Sequence, residues 1–153
     1  MIGNRRVAQG EFDNLSNYGL LFTDGLGPCI AVLFYDEVSQ TAYLSHLEQP
    51  DSGTVWNAFI DIIPKGQVYK IYTWGGAHES INDEETTELT TQSRRFIKEQ
   101  LQEIFPDSKL NISWTPKDHT GYISIDLETG DITKESDKNC SDQIDSKTDN
   151  RNA

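Results

Sequence analysis

The stretch Thr23 to Leu47, TDGLGPCIAVLFYDEVSQTAYLSHL, has the clearest structural pattern in this chain of 153 residues. Its apolar run from Ile30 to Tyr35 is short and rich in β-branched and aromatic residues, which favours a buried strand over a helix. The segment from Gln40 to Leu47 alternates as a strand with one buried face does. The polar residues Asp36 to Ser39 between them predict the loop of a β-hairpin.

The hairpin predicts a cysteine beside a histidine. A loop of four residues would pair Tyr35 with Gln40, and counting back along both strands sets Cys29 opposite His46. Cβ atoms of directly opposed residues lie roughly 4.5–5.5 Å apart, so the imidazole would accept the thiol proton and leave a nucleophilic thiolate. Thr23 is placed to bond the second ring nitrogen and fix the tautomer. On this pattern alone, a cysteine that serves only as a small apolar residue is the alternative.

Two pairs of glycines accompany these residues. Gly25 and Gly27 precede the cysteine, where they allow a sharp turn whose backbone N–H groups would form an oxyanion hole. Gly75 and Gly76 end a predicted strand and allow close approach of a backbone. They are interpreted as a wall of the substrate cleft, with an ordinary tight turn as the alternative.

The order of these motifs resembles the CheD family of chemoreceptor glutamine deamidases. That family has a threonine, a glycine-rich turn, a nucleophilic cysteine that opens a strand ending in Tyr-Asp, and a histidine that closes the next strand. Thr23, Cys29 and His46 fall on this pattern, and the segment Lys70 to Ala77 resembles a second family motif that ends in Gly-Gly-Ala. The resemblance spans roughly residues 15 to 133. It implies catalytic roles for the threonine, cysteine and histidine, and a substrate-binding and oxyanion loop formed by Gly25, Gly27, Gly75 and Gly76.

The resemblance implies a protein-glutamine deamidase that needs no cofactor and no metal, and whose partner is a protein substrate carrying a reactive glutamine. The same Cys-His arrangement is similar to the cytotoxic necrotizing factor catalytic domains, so a secreted effector that deamidates a host protein is a second hypothesis. A docking module that binds a signalling protein without catalysis is a third.

Two departures from the family pattern bear on the substrate. Pro28 stands before the cysteine, where the family usually has a small polar residue, and it removes one backbone N–H from the turn. The family's Gly-Gly and Arg near the last strand are replaced by Thr120 to Ile123. These changes affect the expected identity of the substrate more than the expected chemistry.

The composition restricts the partners. A formal net charge of −12 argues against nucleic acid or an anionic membrane surface, because both require basic patches. No run approaches the roughly eighteen apolar residues of a membrane span, and the N-terminus lacks the apolar core of a Sec signal. Two cysteines are too few for a disulfide scaffold, although a Cys29–Cys140 disulfide would silence the nucleophile. We therefore predict a cytoplasmic protein, or an effector that enters a host cell without a Sec signal.

The pattern of elements predicts an α+β fold. The resemblance adds a layered sandwich of mixed β-sheet with helices packed on the outside. A loosely ordered N-terminal arm is expected over residues 1–14, a catalytic domain over 15–132 and a disordered polar tail over 133–153.

Two helices are predicted within that domain. The first is capped by Thr54 and stopped by Pro64, and the second begins at Glu84 with a buried stripe that includes Leu89. His78 and His119 are expected at the surface. Three basic residues are expected to form a solvated face of the second helix: Arg94, Arg95 and Lys98.

Overall fold

The computed structural model describes residues 3–48, 53–81 and 84–139. Within these ranges the strands are Arg5–Arg6 (β1), Phe12–Ser16 (β2), Leu20–Leu26 (β3), Ile30–Asp36 (β4), Thr41–Leu47 (β5), Lys70–Gly75 (β6), Lys109–Asn111 (β7), His119–Asp126 (β8) and Asp131–Lys138 (β9). The helices are Thr54–Ile62 (α1), between β5 and β6, and Glu84–Ile104 (α2), between β6 and β7.

The strands form two sheets. The central sheet has the order β2-β5-β4-β6-β7, and the outer sheet has the order β1-β3-β8-β9. Most neighbouring strands are antiparallel, while β1 with β3 and β6 with β7 are parallel pairs. The expected α+β class with mixed sheets is therefore confirmed.

Strand β4 is buried on both faces, as its unbroken apolar run predicts. Ile30, Val32 and Phe34 belong to the core between the central sheet and the helices. The intervening residues belong to the core between the two sheets: Ala31, Leu33 and Tyr35. The layers are thus outer sheet, central sheet and helices, with β4 in the middle. Truncating a fully buried ring such as Phe34 to alanine costs about 3–5 kcal/mol in comparable cores.

The helices begin and end as expected, with two corrections. Helix α1 ends before Pro64, but Thr54 does not cap it, because the capping position is Gly53 with a left-handed backbone (φ 93°). In α2 the buried residues include Ile97 and Leu101, whereas Leu89 is 45% exposed and lies outside the stripe. Among the described residues, neither helix has the length and apolar character needed to cross a bilayer.

The N-terminal segment is ordered from residue 3 to residue 14, so the expectation of a loose arm is wrong there. Strand β1 pairs with β3, and β2 pairs with β5, so the segment joins both sheets. Val7 is only 1% exposed and its N–H donates to the Phe22 carbonyl at 2.8 Å. Edge strands of this kind are held by backbone hydrogen bonds, which a sparse apolar pattern does not reveal.

The polar segment from residue 133 to 138 is also ordered, which corrects the predicted start of the disordered tail. It belongs to β9, an edge strand paired along its length with β8. Trp74 of the central sheet donates its Nε1–H to the Glu135 carbonyl at 2.9 Å. Residues 140–153 of the predicted tail, including Cys140, lie outside the described residues.

Lys134 of β9 points toward the central sheet and links the outer sheet to strand β7 and the residues just after it. Its Nζ donates to Asn111 Oδ1 at 3.0 Å and to Ser113 Oγ at 2.7 Å. It also lies 5.7 Å and 5.5 Å from the ring centroids of Tyr72 and Trp74. A cleft of about 420 Å³ opens beside it, and partial burial lowers the pKa of Lys134 to about 8.

Two truncations test the corrected boundary. Removal of residues 133–153 strips most of β9 and the Lys134 contacts, so the free energy of unfolding should fall by roughly 2 kcal/mol or more. Removal of only residues 140–153 is the matched control and should leave it nearly unchanged, because that sequence has few apolar groups. Urea denaturation measures both. Equal stability of the two truncated proteins would contradict a structural role for β9.

Candidate active site

Thr23 and His46 meet between the two sheets. Thr23 lies on β3 of the outer sheet and His46 on β5 of the central sheet, and both are almost fully buried. The distance from Thr23 Oγ1 to His46 Nδ1 is 2.8 Å. The sequence predicted this hydrogen bond, and the structure contains it.

The partners of the threonine fix the tautomer of the histidine. Thr23 Oγ1 donates its single proton to the Val7 carbonyl at 2.6 Å, so toward His46 it must act as the acceptor. Nδ1 of His46 therefore carries the ring proton, and Nε2 carries a lone pair. Nε2 is buried and has no hydrogen-bond partner in the described part of the chain. Buried polar atoms are rarely left unpaired, so this nitrogen stands out as a candidate site atom.

The hairpin register differs from the predicted one by two residues. The observed loop pairs Asp36 with Thr41 and sets Ala31, not Cys29, opposite His46. The same register, continued by one residue beyond Ile30, would set Cys29 opposite Glu48. A shift of two residues keeps the side chains on the same face, since their orientation alternates with a period of two.

Cys29 therefore lies on the side of the central sheet that bears His46, as a diagonal neighbour. It is partly exposed and packs against the core between the sheets. Diagonal neighbours are about 7–8 Å apart at the backbone, within reach of longer side chains. No hydrogen bond joins the thiol to Nε2 in this structure. Catalytic hydrogen bonds are often formed only when substrate binds.

The backbone around Cys29 interlocks with the turn after β6. The N–H of Gly76 donates to the Cys29 carbonyl at 2.7 Å, and the N–H of Ala77 donates to the Gly27 carbonyl at 2.9 Å. A Cβ atom at Gly75 would overlap the Cys29 carbonyl, so only glycine fits there. Gly75 and Gly76 thus lie next to the candidate nucleophile, and their contacts hold its backbone in position.

The amides of these glycines already have partners, which changes their expected role. Gly75 N–H donates to Thr115 Oγ1 at 2.9 Å, Gly76 N–H donates to Cys29, and Gly27 N–H bonds the Gly25 carbonyl at 3.2 Å. In this structure these three amides shape the loop and are not free to serve as oxyanion donors. Gly25, with a left-handed φ of 65°, lies where the pairing of β3 with β8 changes register.

Arg94 belongs to this region, contrary to its expected place on a solvated face. Its Nε–H donates to the Gly76 carbonyl at 2.8 Å, and its guanidinium carbon lies 5.4 Å from the centroid of the Trp114 ring. One signal in the sequence was available: Arg94 precedes the buried Ile97 by three residues, so both lie on one side of α2. The buried face of a helix is usually predicted from its apolar residues alone.

His78 and His119, both expected at the surface, are each partly exposed. His78 is half-buried and its Nδ1 has no hydrogen-bond partner among the described residues. Burial lowers the pKa of His78, and the charges of Arg94 and Lys117 add to that effect. His119 begins β8 and its Nδ1 lies 2.9 Å from Ser136 Oγ.

The electrostatics favour neutral forms of both candidate catalytic groups. Burial, with added effects from the carboxylates of Glu48 and Glu79, raises the pKa of the Cys29 thiol to about 11. Burial also lowers the pKa of His46, and the guanidinium of Arg6 adds to that effect. In the resting protein, Cys29 is therefore a neutral thiol and His46 a neutral imidazole. A preformed thiolate–imidazolium pair, which the sequence suggested, is not what this environment stabilises.

The described ranges contain no group of three or more His, Cys, Asp and Glu side chains arranged to hold a metal ion. The residues gathered here are the candidate nucleophile Cys29, the candidate base His46 and the groups that hold them in place.

Comparison with known proteins gives a partial match. No family model matches the chain. The chemoreceptor glutamine deamidase CheD of Thermotoga maritima is 41% identical to it over 47 residues. The match covers 31% of this chain and 30% of that relative's length. The chain is therefore similar to CheD over less than a third of its length.

The raised thiol pKa predicts slow alkylation of Cys29. In the Cys140→Ser variant, which leaves Cys29 as the single thiol, iodoacetamide should react at about pH 8 at least roughly tenfold more slowly than with the same protein unfolded in urea. The rate should still be rising where an ordinary thiol, with a pKa of about 8.5, levels off. A rate that levels off near neutral pH and depends on His46 would instead reveal a preformed ion pair.

Proposed function

We propose that this chain is a protein-glutamine deamidase, which hydrolyses the side-chain amide of a glutamine to glutamate and ammonia. The observation that carries the proposal is the buried, unpartnered Nε2 of His46, on the sheet face that also bears Cys29. A buried histidine with a purely structural role usually has both ring nitrogens bonded. Here Thr23 holds one nitrogen and leaves the other as a base.

In the first half of the reaction, Cys29 Sγ attacks the carboxamide carbon of the glutamine. His46 Nε2 takes the thiol proton as the S–C bond forms, because neither resting group is charged. The tetrahedral intermediate then collapses, the C–N bond breaks, and the imidazolium gives its proton to the leaving ammonia. The product is a thioester between Cys29 and the glutamyl side chain.

In the second half, water hydrolyses the thioester. His46 Nε2 takes a proton from the attacking water, the C–S bond breaks, and the sulfur recovers a proton from the imidazolium. The glutamate side chain is released as a carboxylic acid, which gives its remaining proton to solvent and becomes a carboxylate. Thr23 keeps the ring in one tautomer and orientation throughout both halves.

Charge on the tetrahedral oxygen requires a hydrogen-bond donor. The amides of Gly27, Gly75 and Gly76 have other partners, and Pro28 has no N–H. We assign this role to the backbone N–H of Cys29. The hydrogen bond from Gly76 N–H to the Cys29 carbonyl holds this residue in place.

The relative's name supports a chemoreceptor as the protein substrate. The glutamine would approach Cys29 from the solvent side, because the thiol is partly exposed while the histidine is buried.

Replacement of the proposed nucleophile and base tests this chemistry. Cys29→Ser and His46→Ala should each lower the rate of glutamine conversion by orders of magnitude, while urea denaturation shows a folded protein. The measurement is mass spectrometry of a chemoreceptor cytoplasmic fragment, together with ammonia release. Cys140→Ser is the matched control and should retain full activity. A native protein that binds the fragment and converts no glutamine would favour the docking module instead.

The pH dependence gives a separate test. Burial lowers the pKa of His46, so the neutral base is present at all pH values above that lowered pKa. The acid limb of kcat/KM should therefore fall below about pH 6.5, the ordinary value for a histidine. An acid limb clearly above that value would show that His46 is not the base.

A further inference from the structure

The turn at Gly75 and Gly76 has no side chains to fix its shape. Both residues have left-handed backbones, with φ of 85° and 62°. Its position depends on bonds to its neighbours, which include Gly75 N–H to Thr115, Gly76 N–H to the Cys29 carbonyl, and the Gly76 carbonyl to Arg94. The bond to Arg94 connects the turn to helix α2.

The guanidinium of Arg94 contacts a backbone carbonyl and an aromatic ring. It is half-buried, and burial lowers the pKa of Arg94. Among the described residues it forms no ion pair, and its contacts are the Gly76 carbonyl and the face of the Trp114 ring. Its bond to the Gly76 carbonyl fixes where the turn lies relative to helix α2.

Helix α2 makes Arg94 a rigid anchor. Three and seven residues further along, Ile97 and Leu101 are fully buried in the core between the helices and the central sheet. The spacing places all three residues on one side of the helix. A displacement of the turn relative to the core would therefore break the Arg94 bond.

We infer that Arg94 is a positioning residue that acts through the Gly76 turn to keep Cys29 seated against the core between the sheets. This inference rests on the proposed function only for its catalytic consequence. The action is mechanical, because the groups that shift the pKa of Cys29 are its burial, Glu48 and Glu79, and Arg94 is not among them. Loss of the Arg94 bond would change the hydration of the thiol through a movement of the loop.

The test compares two neighbouring arginines in the Cys140→Ser background. Arg94→Met keeps the aliphatic stem and a good helix former but removes the donor, and Arg95→Met makes the same change at an exposed position. With Arg94→Met, the Cys29 thiol pKa should fall from about 11 toward the ordinary value near 8.5. Its iodoacetamide rate at about pH 8 should rise at least roughly tenfold, while Arg95→Met should keep the parent profile.

Further measurements separate a local effect from unfolding. A local movement predicts that the faster alkylation of Arg94→Met does not depend on low urea concentrations. If Arg94→Met does not fold, as circular dichroism would show, Arg94→Lys keeps the charge without the Nε donor and should give the same change of thiol profile. An unchanged thiol profile in the folded variant, or a rate that rises with urea, would overturn the inference.

Activity then distinguishes this inference from the proposed function. If the native protein deamidates glutamine, Arg94→Met should lower kcat more than it changes KM, because the nucleophile is misplaced while the substrate surface remains. An equal kcat in the two arginine variants would overturn the positioning role. If the native protein shows no deamidation, the proposed function fails, and the thiol profile alone still decides whether Arg94 seats Cys29.

Discussion

The hydrogen bond between Thr23 and His46 is the constraint around which the two sheets are arranged. It places a polar pair beside the apolar core between the sheets, where an unsatisfied partner would cost about 1–3 kcal/mol. The Val7 carbonyl completes the pair by accepting the threonine proton, so the N-terminal segment is part of the same arrangement. The sheets cannot slide past one another without losing this bond, and the orientation of the imidazole is fixed as a result.

A second fixed point lies at the Cys29 carbonyl, where the loop before β4 meets the turn after β6. The first point orients the candidate base and the second seats the candidate nucleophile. The first point joins β3 to β5, and the second joins the loop before β4 to the turn after β6. Strands β4 and β5 are neighbours in the central sheet and so connect the two points. This division explains how a partly exposed cysteine and a buried histidine are held on one face of the central sheet without a hydrogen bond to His46 Nε2.

Sequence reasoning located the β4–β5 hairpin and the shared face of its two key residues, because side-chain alternation is visible in the residue pattern. It missed the register by two residues, since the Asp36 side chain accepts from the Val38 N–H and starts the turn one residue later than expected. Strands β1, β2 and β9 were missed because edge strands need backbone partners more than apolar side chains. The role of Arg94 depends on a contact between distant segments, which no local pattern encodes.

The inward position of Lys134 bears on whether copies of this protein can associate through strand β9. Edge strands such as β9 present unpaired backbone groups that invite another strand to add to the sheet. An added strand would cover the cleft beside Lys134 and remove water from an ammonium that is already half-buried. Within the described residues this ammonium is held by Asn111, Ser113 and two aromatic rings, and no carboxylate there forms an ion pair with it. An inward-pointing charge on an edge strand is one of the features by which natural sheets disfavour the addition of a further strand.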